Sequence, residues 1–258
     1  MLPKSRYFDF HLYAVNAEDE LQSAFIEKGT FDYVVSKWIV DNVSRGWTIY
    51  DIGANIFEYT ELFARKSGET GIVHAFEPQN ELVKGYKIAR RYNDYTGVAP
   101  IKIYQVALSN EDSYLELKKS DTHSGLASLN FDQVERNIDA FNSVEVVRSL
   151  RADSSELALP QAVPDLLKLD IEGAEKLFWE GAPDFLKNSK RILAEVTYKV
   201  TSNYLIEEYL KNRVAYSIHT KKTLSTVDEI VKEIKNQPHQ QSNIVFTQLD
   251  IESKRSSN

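Results

Sequence analysis

Hydrophobic residues follow two alternating patterns along this chain. Apolar positions three or four residues apart predict amphipathic helices, and short apolar runs bounded by polar or turn residues predict buried strands. The predicted helices span residues 31–43, 58–66, 80–92, 174–180, 203–211 and 227–236. The predicted strands span residues 48–51, 72–76, 101–107, 113–118, 144–150, 165–170, 191–196, 214–219 and 243–249.

Strands and helices alternate over most of the chain, which indicates an α/β fold with a mainly parallel sheet. Open sheets of this kind bind ligands beyond the carboxyl ends of their strands, where the strand order switches. Residues that directly follow strands are therefore the first candidates for chemistry. Residues 112–150 interrupt the alternation with two strands, a polar loop and room for a short helix. The first thirty residues are rich in aromatic side chains and show no clear period, so their structure stays open.

Charge and cysteine content narrow the function classes. The 258 residues carry 31 Lys and Arg against 38 Asp and Glu, a formal net charge of −7, which argues against nucleic-acid binding. The chain has no cysteine, which excludes disulfides, thiolate zinc sites and cysteine nucleophiles. No apolar run approaches the ~20 residues of a membrane span, and the first residues lack a signal-peptide pattern. We therefore expect a cytoplasmic protein.

A glycine turn follows the first predicted strand. Asp51 ends the strand, and Gly53, Ala54 and Asn55 lead into the next helix. Glycine allows a tight turn and a close approach to a ligand, and amides at a helix start can bind polar groups. The dinucleotide pattern G-x-G-x-x-G and the phosphate loop are both absent. The alternative is an ordinary strand-to-helix turn.

An acidic residue follows the second predicted strand. Glu77 lies 24 residues after Gly53, close to the separation at which an acid binds the ribose hydroxyls in nucleotide-binding sheets. Pro78 makes this turn rigid. A surface acid is the alternative for Glu77 alone, and the pairing with the glycine turn favours ribose binding.

Three carboxylates crowd the end of the strand at 165–170. Asp170 lies at the strand tip, where it can orient a hydroxyl, help deprotonate it or hold a divalent cation. Glu172 and Glu175 follow at the start of a helix. Helix N-termini stabilise acids through the helix dipole, which is the alternative explanation for these two residues.

His123 lies in the polar loop at 120–125, within the irregular middle segment. Histidine can act as a general base near neutral pH, and a loop that covers a substrate is a natural place for one. An ordinary exposed loop histidine is the favoured alternative.

Three stretches, in this order, resemble the FkbM family of class I S-adenosylmethionine-dependent methyltransferases. The matching segments are 50–56 (YDIGANI), 75–78 (AFEP), 107–109 (ALS), 167–175 (LKLDIEGAE), 181–182 (GA) and 194–196 (AEV). The likeness covers residues 48–196, and the D-x-E-G-A-E element at 170–175 is its most specific part.

The resemblance implies a Rossmann-like class I methyltransferase fold. Its seven-stranded sheet has six parallel strands and one antiparallel strand, with helices on both faces. The implied cofactor is S-adenosyl-L-methionine, and the implied reaction is O-methylation of a hydroxyl on a carbohydrate or small metabolite. By motif position, the methionine end of the cofactor would be lined by Asp51, Gly53, Ala54 and Asn55. The ribose would be held by Glu77 with Pro78, and the adenine would be bordered by Ala107 and Leu108. Asp170 would face the methyl group and the acceptor.

One position departs from the family pattern, which usually has glycine where this chain has Phe57. The ring either narrows the methionine end of the pocket or points away and packs on a neighbour. This departure motivates the alternative function, a non-catalytic adenosyl-ligand-binding protein that keeps the methyltransferase fold. A nucleotide-dependent oxidoreductase is disfavoured because the glycines lack the pyrophosphate-binding spacing.

These observations predict three regions. Residues 1–46 form an N-terminal helical cap or extension, residues 47–250 the methyltransferase domain with an insert at about 112–150, and residues 251–258 a flexible tail. The expected partner is a small molecule or glycan, without nucleic acid or a membrane span. Homo-oligomerisation stays open. Asp170, Glu172 and His123 are the candidates for catalysis, and a divalent cation is permitted but not required.

Overall fold

The computed structural model describes residues 2–14, 16–129, 141–157, 159 and 163–251. Of the tail predicted at 251–258, residues 252–258 lie outside the described residues, and so does the middle of the 112–150 insert. The strands are β1 (Thr48–Ile52), β2 (Ile72–Phe76), β3 (Ile101–Tyr104), β4 (Ala107–Leu108), β5 (Ser113–Lys119), β6 (Ala127–Ser128), β7 (Ser143–Leu150), β8 (Leu166–Leu169), β9 (Arg191–Thr197), β10 (Arg213–Ser217), β11 (Lys222–Leu224) and β12 (Gln241–Gln248).

Side-chain caps begin half of the α-helices that the described residues form. Asp19, Asp32, Ser202 and Thr226 each accept a hydrogen bond from a backbone N–H of the first helical turn, which satisfies groups that the helix itself leaves unpaired. The helices are α1 (Glu20–Lys28), α2 (Tyr33–Asn42), α3 (Glu58–Ser67), α4 (Asn80–Ala89), α5 (Glu175–Gly181), α6 (Pro183–Asn188), α7 (Asn203–Leu210) and α8 (Val227–Lys235), with 3₁₀ turns at Arg90–Tyr92 and Pro238–Gln240.

Eight strands form the main sheet, in the order β11-β10-β12-β9-β8-β1-β2-β3. The pairs β9–β8, β8–β1, β1–β2 and β2–β3 are parallel, whereas β12 runs antiparallel to both β9 and β10. Six strands thus point one way and β12 the other, as the resemblance implies. The short β11 pairs antiparallel with β10 and adds an eighth strand that the sequence pattern did not predict.

Alternation along the strands divides the hydrophobic core into two layers. In β1, Ile49 packs with α2, α3 and α4 on one face, and its neighbour Tyr50 packs with α5, α6, α7 and α8 on the other. In β8, Leu166 and Leu167 divide in the same way. Successive strand residues point to opposite faces, so helices on both sides of the sheet follow from these two-sided apolar strands.

A second sheet of four strands, in the order β4-β7-β5-β6, begins where the predicted strand at 101–107 divides. That strand was predicted as one element, but it leaves the main sheet after Tyr104 and resumes in the second sheet at Ala107. The strands predicted at 113–118 and 144–150 are confirmed as β5 and β7, an antiparallel pair. Within the described residues, no helix has the length and apolar character needed to cross a bilayer.

Candidate active site

A cavity of about 400 Å³ opens at the carboxyl ends of β1, β2 and β8. This volume is within the usual range for small-molecule sites. The cavity brings together every predicted site residue except Asp51. The predicted residues that line it are Gly53, Ala54, Asn55, Glu77, Pro78, Ala107, Leu108, His123, Asp170 and Glu172.

The glycine turn forms one wall of the cavity. Gly53 has a φ of 80°, and a Cβ atom at this position would lie 1.9 Å from the carbonyl oxygen of Asp170. The close approach that the turn requires is therefore to the backbone after β8, and only glycine allows it. Asn55 follows with a φ of 48°, and its side-chain oxygen Oδ1 is buried without a hydrogen-bond partner in the structure. Asn55 thus offers the cavity an unused acceptor.

Glu77 is buried beside this turn. Its Oε2 accepts the N–H of Asn55 at 2.8 Å, and its Oε1 accepts the N–H of Gln79 at 2.9 Å. Burial raises the pKa of Glu77 to about 7, although these two hydrogen bonds act in the opposite direction. A carboxylate has about four acceptor positions, so two remain for hydroxyl groups in the cavity.

Asp51 lies beneath the cavity, where it contacts neither the cavity space nor solvent. Its Oδ2 accepts the hydroxyl of Thr60 at 2.5 Å, and its Oδ1 lies 3.5 Å from Nζ of Lys168. Burial raises the pKa of Asp51, and Lys168 and Thr60 oppose that shift. The aspartate of the glycine motif is thus in contact with a buried lysine.

A group of three carboxylates lines the cavity next to the glycine turn. Asp170, Glu172 and Glu195 each present an oxygen, and these oxygens lie within 4.8 Å of one another. Burial and neighbouring carboxylates raise the pKa of both Glu172 and Glu195 well above the usual range. Gln241 donates a hydrogen bond from its Nε2 to Oε1 of Glu195 at 3.1 Å. Among the described residues, this group alone has a geometry that could hold a metal ion.

Glu172 and Glu175 differ in position. Glu172 has a φ of 53°, a left-handed conformation that is unusual for a non-glycine residue, and its side chain reaches the cavity. Oε1 of Glu175 instead accepts the N–H groups of Ile171 and Gly173, at 3.2 and 3.3 Å. Burial raises the pKa of Glu175 to about 7. Glu175 therefore braces the loop that carries Glu172.

Two segments far apart in sequence roof the cavity. Leu21, Phe31, Asp32 and Tyr33 come from the N-terminal region, and the loop at 123–125 comes from the middle segment. These segments are joined where Asp19 accepts hydrogen bonds from both the backbone N–H and the hydroxyl of Ser124. On the other side, Gln79 donates to the carbonyl of Ser124 at 3.2 Å.

His123 belongs to this roof. Its Nε2 lies 3.7 Å from Oε2 of Glu20, and its Nδ1 is buried without a hydrogen-bond partner in the structure. The ring is only partly exposed, which differs from the exposed loop histidine that was the favoured alternative. The structure therefore keeps His123 at the cavity and pairs it with an acid of α1.

Phe57 points away from the cavity. Its ring is fully buried and stacks on Tyr86 of α4, with centroids 4.1 Å apart and planes 6° from parallel. Its φ of 66° is the left-handed conformation that glycine adopts most easily, which agrees with the glycine that the family usually has here. Of the two expected positions for this ring, the structure has the one that leaves the cavity open.

Lys168 and Glu195 are cavity residues that the sequence analysis did not assign to the site. Glu195 gave the same signal that identified Glu77, an acid near the carboxyl end of a buried strand, and it was not used. Lys168 gave no such signal, because a lysine within an apolar strand has no characteristic role. Its position depends on the pairing of β8 with β1, where Lys168 lies directly opposite Asp51.

Several solved structures resemble this one at low sequence identity. A TehB-like SAM-dependent methyltransferase from Corynebacterium glutamicum is 12% identical with a TM-score of 0.46, covering 88% of this chain and 93% of that one. A precorrin-6Y C5,15-methyltransferase from Geobacter metallireducens is 12% identical with a TM-score of 0.42, covering 83% and 86%. Residues 961–1257 of StiE O-MT are 8% identical with a TM-score of 0.46, covering 95% and 89%.

No curated protein matches the chain in sequence. The sequence model of the methyltransferase FkbM domain, in contrast, matches residues 51–217. The match contains the glycine turn, Glu77, the carboxylate group, five complete strands of the main sheet and the last two residues of β1. It therefore extends beyond the resemblance at 48–196 toward the C-terminus. The chain belongs to the FkbM family of S-adenosylmethionine-dependent methyltransferases, and it has their Rossmann-like class I fold.

Proposed function

We propose that the protein transfers a methyl group from S-adenosylmethionine to a hydroxyl oxygen of a carbohydrate or another small metabolite. The observation that carries this proposal is the position of Asp170. Its carboxylate lines the cavity beside the glycine turn and within the carboxylate group of Glu172 and Glu195. A base at this place suits an alcohol acceptor, which must lose its proton as the new C–O bond forms.

The lining of the cavity fits the cofactor. Glu77 has acceptor positions left for the two ribose hydroxyls, and Pro78 follows it at the cavity wall. Ala107 and Leu108 provide a small apolar surface for the adenine ring. The unpartnered Oδ1 of Asn55 is an acceptor for the ammonium group of the methionine part. When bound, S-adenosylmethionine supplies an electrophilic methyl group on a sulfonium sulfur.

Asp170 performs the proton transfer in this proposal. The acceptor O–H bond breaks and its proton passes to the Asp170 carboxylate, while the oxygen forms a bond to the methyl carbon. S-adenosylmethionine would supply that carbon, and the electrons of its C–S bond would leave with sulfur as a neutral thioether. Holding the acceptor oxygen in line with that bond provides much of the acceleration, because orientation replaces a rare collision.

Glu172 and His123 are further candidates for moving a proton. Burial and the neighbouring carboxylates raise the pKa of Glu172, which favours its protonated form, and in that form its first role is to donate a hydrogen bond to the acceptor. His123 contacts the cavity from the roof, where its unpartnered Nδ1 is free to accept a proton. The carboxylate group also has the oxygen ligands that a divalent cation requires, and the proposed reaction proceeds without one.

The domain organisation remains part of this proposal. Residues 1–46 act as the cap, because Phe31, Asp32 and Tyr33 line the cavity from above. Residues 47–250 form the methyltransferase domain, and its insert at 112–150 supplies the loop with His123 to the same roof. We assign the roof to recognition of the acceptor, since the cofactor residues lie at the strand ends below it.

Calorimetric titration with S-adenosylmethionine and S-adenosylhomocysteine tests the cofactor site. We expect binding at micromolar concentrations to the unchanged protein and a loss of at least about a hundredfold in Glu77→Ala, because the ribose acceptors disappear. Glu81→Ala, on the exposed face of α4, is the control and should bind normally. If a folded sample binds neither ligand, the methyltransferase proposal fails and the non-catalytic alternative replaces it.

A screen of hydroxylated acceptors, read out as S-adenosylhomocysteine formed, tests the reaction. With an active acceptor, we expect Asp170→Asn to lower kcat by about 10²–10⁴-fold, the usual contribution of a general base. Asparagine keeps the shape and an oxygen near Lys168, so affinity for S-adenosylhomocysteine and the melting temperature should fall far less than kcat. Full turnover by Asp170→Asn would remove Asp170 from the mechanism, and methylation of amines alone would contradict O-methylation.

A further inference from the structure

Lys168 is the only lysine or arginine among the described residues that line the cavity. It is 4% exposed, although it occupies a strand whose other residues are leucines. A buried ammonium group requires partners, because its desolvation costs several kcal/mol unless other groups compensate. Its partners therefore indicate what the residue does.

Those partners come from three segments that meet at the cavity floor. Nζ of Lys168 donates a hydrogen bond to the carbonyl oxygen of Gly53 at 2.5 Å. The same atom lies 3.5 Å from the carboxylate of Asp51 and 3.6 Å from that of Asp170. One ammonium group thus connects the end of β1, the glycine turn and the tip of β8.

The ammonium group stays charged in this environment. Burial lowers the pKa of Lys168, but the carboxylates of Asp170 and Asp51 together outweigh this effect, so that its pKa lies above the usual value of 10.5. The positive charge also opposes the repulsion between the Asp51 and Asp170 carboxylates, through which Asp170 raises the pKa of Asp51.

Strand order indicates which part of the cofactor lies over Lys168. Along the sheet edge, Asp170 follows β8, Gly53 follows β1, Glu77 follows β2, and Ala107 lies in β4, after β3. If Glu77 holds the ribose and Ala107 borders the adenine, the remaining amino-acid chain extends back toward β1 and β8. That direction leads to Gly53 and Asp170, the two cavity residues that Lys168 holds.

We propose that Lys168 is the positioning residue for the amino-acid end of the S-adenosyl cofactor. Its ammonium group fixes the carbonyl of Gly53 and the carboxylate of Asp170 relative to each other, and so shapes that end of the cavity before the cofactor binds. This inference rests on the proposed function. It goes beyond it, because it assigns one cavity residue to one end of the cofactor and distinguishes that end from the adenosine end.

The test compares two ligands that differ only at that end. S-adenosylhomocysteine carries the amino-acid chain, whereas 5′-methylthioadenosine has the same adenosine and sulfur without it. Lys168→Met alone leaves Asp51 unpaired, so the main variant is Asp51→Asn with Lys168→Met, which removes both charges together. The matched control is Asp165→Asn with Lys190→Met, a second Lys–Asp pair that does not line the cavity.

Calorimetry should show that the Asp51→Asn/Lys168→Met variant binds S-adenosylhomocysteine at least about tenfold more weakly, or about 1.4 kcal/mol. Its affinity for 5′-methylthioadenosine should stay within about threefold of the unchanged protein. The control variant should bind both ligands normally. The single variant Lys168→Arg keeps the charge but not the compact ammonium group. Its melting temperature should be close to that of the unchanged protein, whereas its affinity for S-adenosylhomocysteine should remain lowered.

Each other result contradicts the inference in a recognisable way. Equal losses for both ligands mean that Lys168 supports the whole site rather than one end. Unchanged affinity with a lowered melting temperature means that its role is structural only. A folded, unchanged protein that binds neither ligand overturns the proposed function, and this inference with it.

Discussion

Replacing Glu58 by glutamine should make the stability of the protein less dependent on pH. Glu58 is fully buried at the start of α3, where its Oε2 accepts the N–H of Phe31 at 2.9 Å. Its Oε1 accepts the hydroxyl of Ser36 at 2.8 Å. Because Phe31 lines the cavity, the carboxyl group of Glu58 connects the N-terminal part of the roof to α3.

The magnitude follows from the pKa of Glu58. Burial raises it from an ordinary 4.5 to about 7, although hydrogen bonds from Thr30, Phe31 and Ser36 oppose the rise. Between these two values the folded protein binds more protons than the unfolded chain, so the free energy of unfolding falls as pH increases. The full difference amounts to about 3 kcal/mol, reached above pH 7 and absent below pH 4.5.

Glutamine resembles the protonated side chain and does not titrate. Its carbonyl can accept the N–H of Phe31, and its amide can donate to the hydroxyl oxygen of Ser36, which rotates to receive it. Urea unfolding at pH 5 and pH 8 measures the effect. Relative to the unchanged protein, Glu58→Gln should gain about 2 kcal/mol more stability at pH 8 than at pH 5.

Two features of the chain keep this measurement interpretable. Burial also raises the pKa of Glu77 and of Glu175 to about 7, but both residues are present in the two proteins and cancel in the comparison. Glu69→Gln, at an exposed position after α3, is the control, and its free energy of unfolding should differ from that of the unchanged protein by the same amount at both pH values. If Glu58→Gln also gains equally at both, the buried carboxyl group is not the source of the pH dependence.

Two further substitutions test the walls of the cavity. Gly53→Ala should lower the free energy of unfolding by well over about 1 kcal/mol and abolish S-adenosylhomocysteine binding, because its Cβ meets the carbonyl of Asp170. Gly97→Ala is the control. Gly97 also has a positive φ, of 72°, but open space around it, so this variant should show only the smaller conformational cost. Phe57→Gly should lower the free energy of unfolding by about 3 kcal/mol, since lost packing on Tyr86 exceeds the relief of its left-handed backbone. The affinity of Phe57→Gly for S-adenosylhomocysteine should hardly change. Calorimetry measures binding and urea unfolding measures stability; normal binding by Gly53→Ala, or unchanged stability of Phe57→Gly, would contradict these predictions.

Periodicity predicted the elements whose own residues determine them. The strand at 72–76 agrees with β2 at both ends, because a buried apolar run stops where Glu77 and Pro78 begin. The helix at 227–236 agrees with α8 within one residue, since Thr226 and Glu229 form a reciprocal cap that local sequence encodes.

Elements that depend on distant partners were missed. β11 has three residues, Lys222–Leu224, and exists because β10 pairs with it in the folded chain. α6 spans only Pro183–Asn188, which is too short to show a helical period, and its apolar residues pack on the core of the folded chain. The predicted strand at 101–107 divides because residues 107–108 pair with β7, some forty residues later. None of these distant contacts is marked by a local sequence pattern.

The same difference divides the candidate site. Acids and glycines after strands mark the floor, because every parallel strand ends at the same edge and brings its following residues together. Asp51 and Lys168 show where that reasoning stops. They lie directly opposite each other in the register of β1 and β8, and only this register shows that Asp51 contacts a buried lysine rather than the cavity.

The sequence indicated the two segments of the roof, but not how they meet. Its two halves are joined through Asp19 and Ser124, which lie 105 residues apart and belong to no common periodic pattern. Hydrogen bonds of this kind depend on where two loops meet, and each loop alone is compatible with many arrangements. Since we assign the floor to the cofactor and the roof to the acceptor, the sequence predicts the cofactor well and the acceptor poorly. The acceptor should therefore be sought with variants at Tyr33 and His123, which face the cavity from the roof.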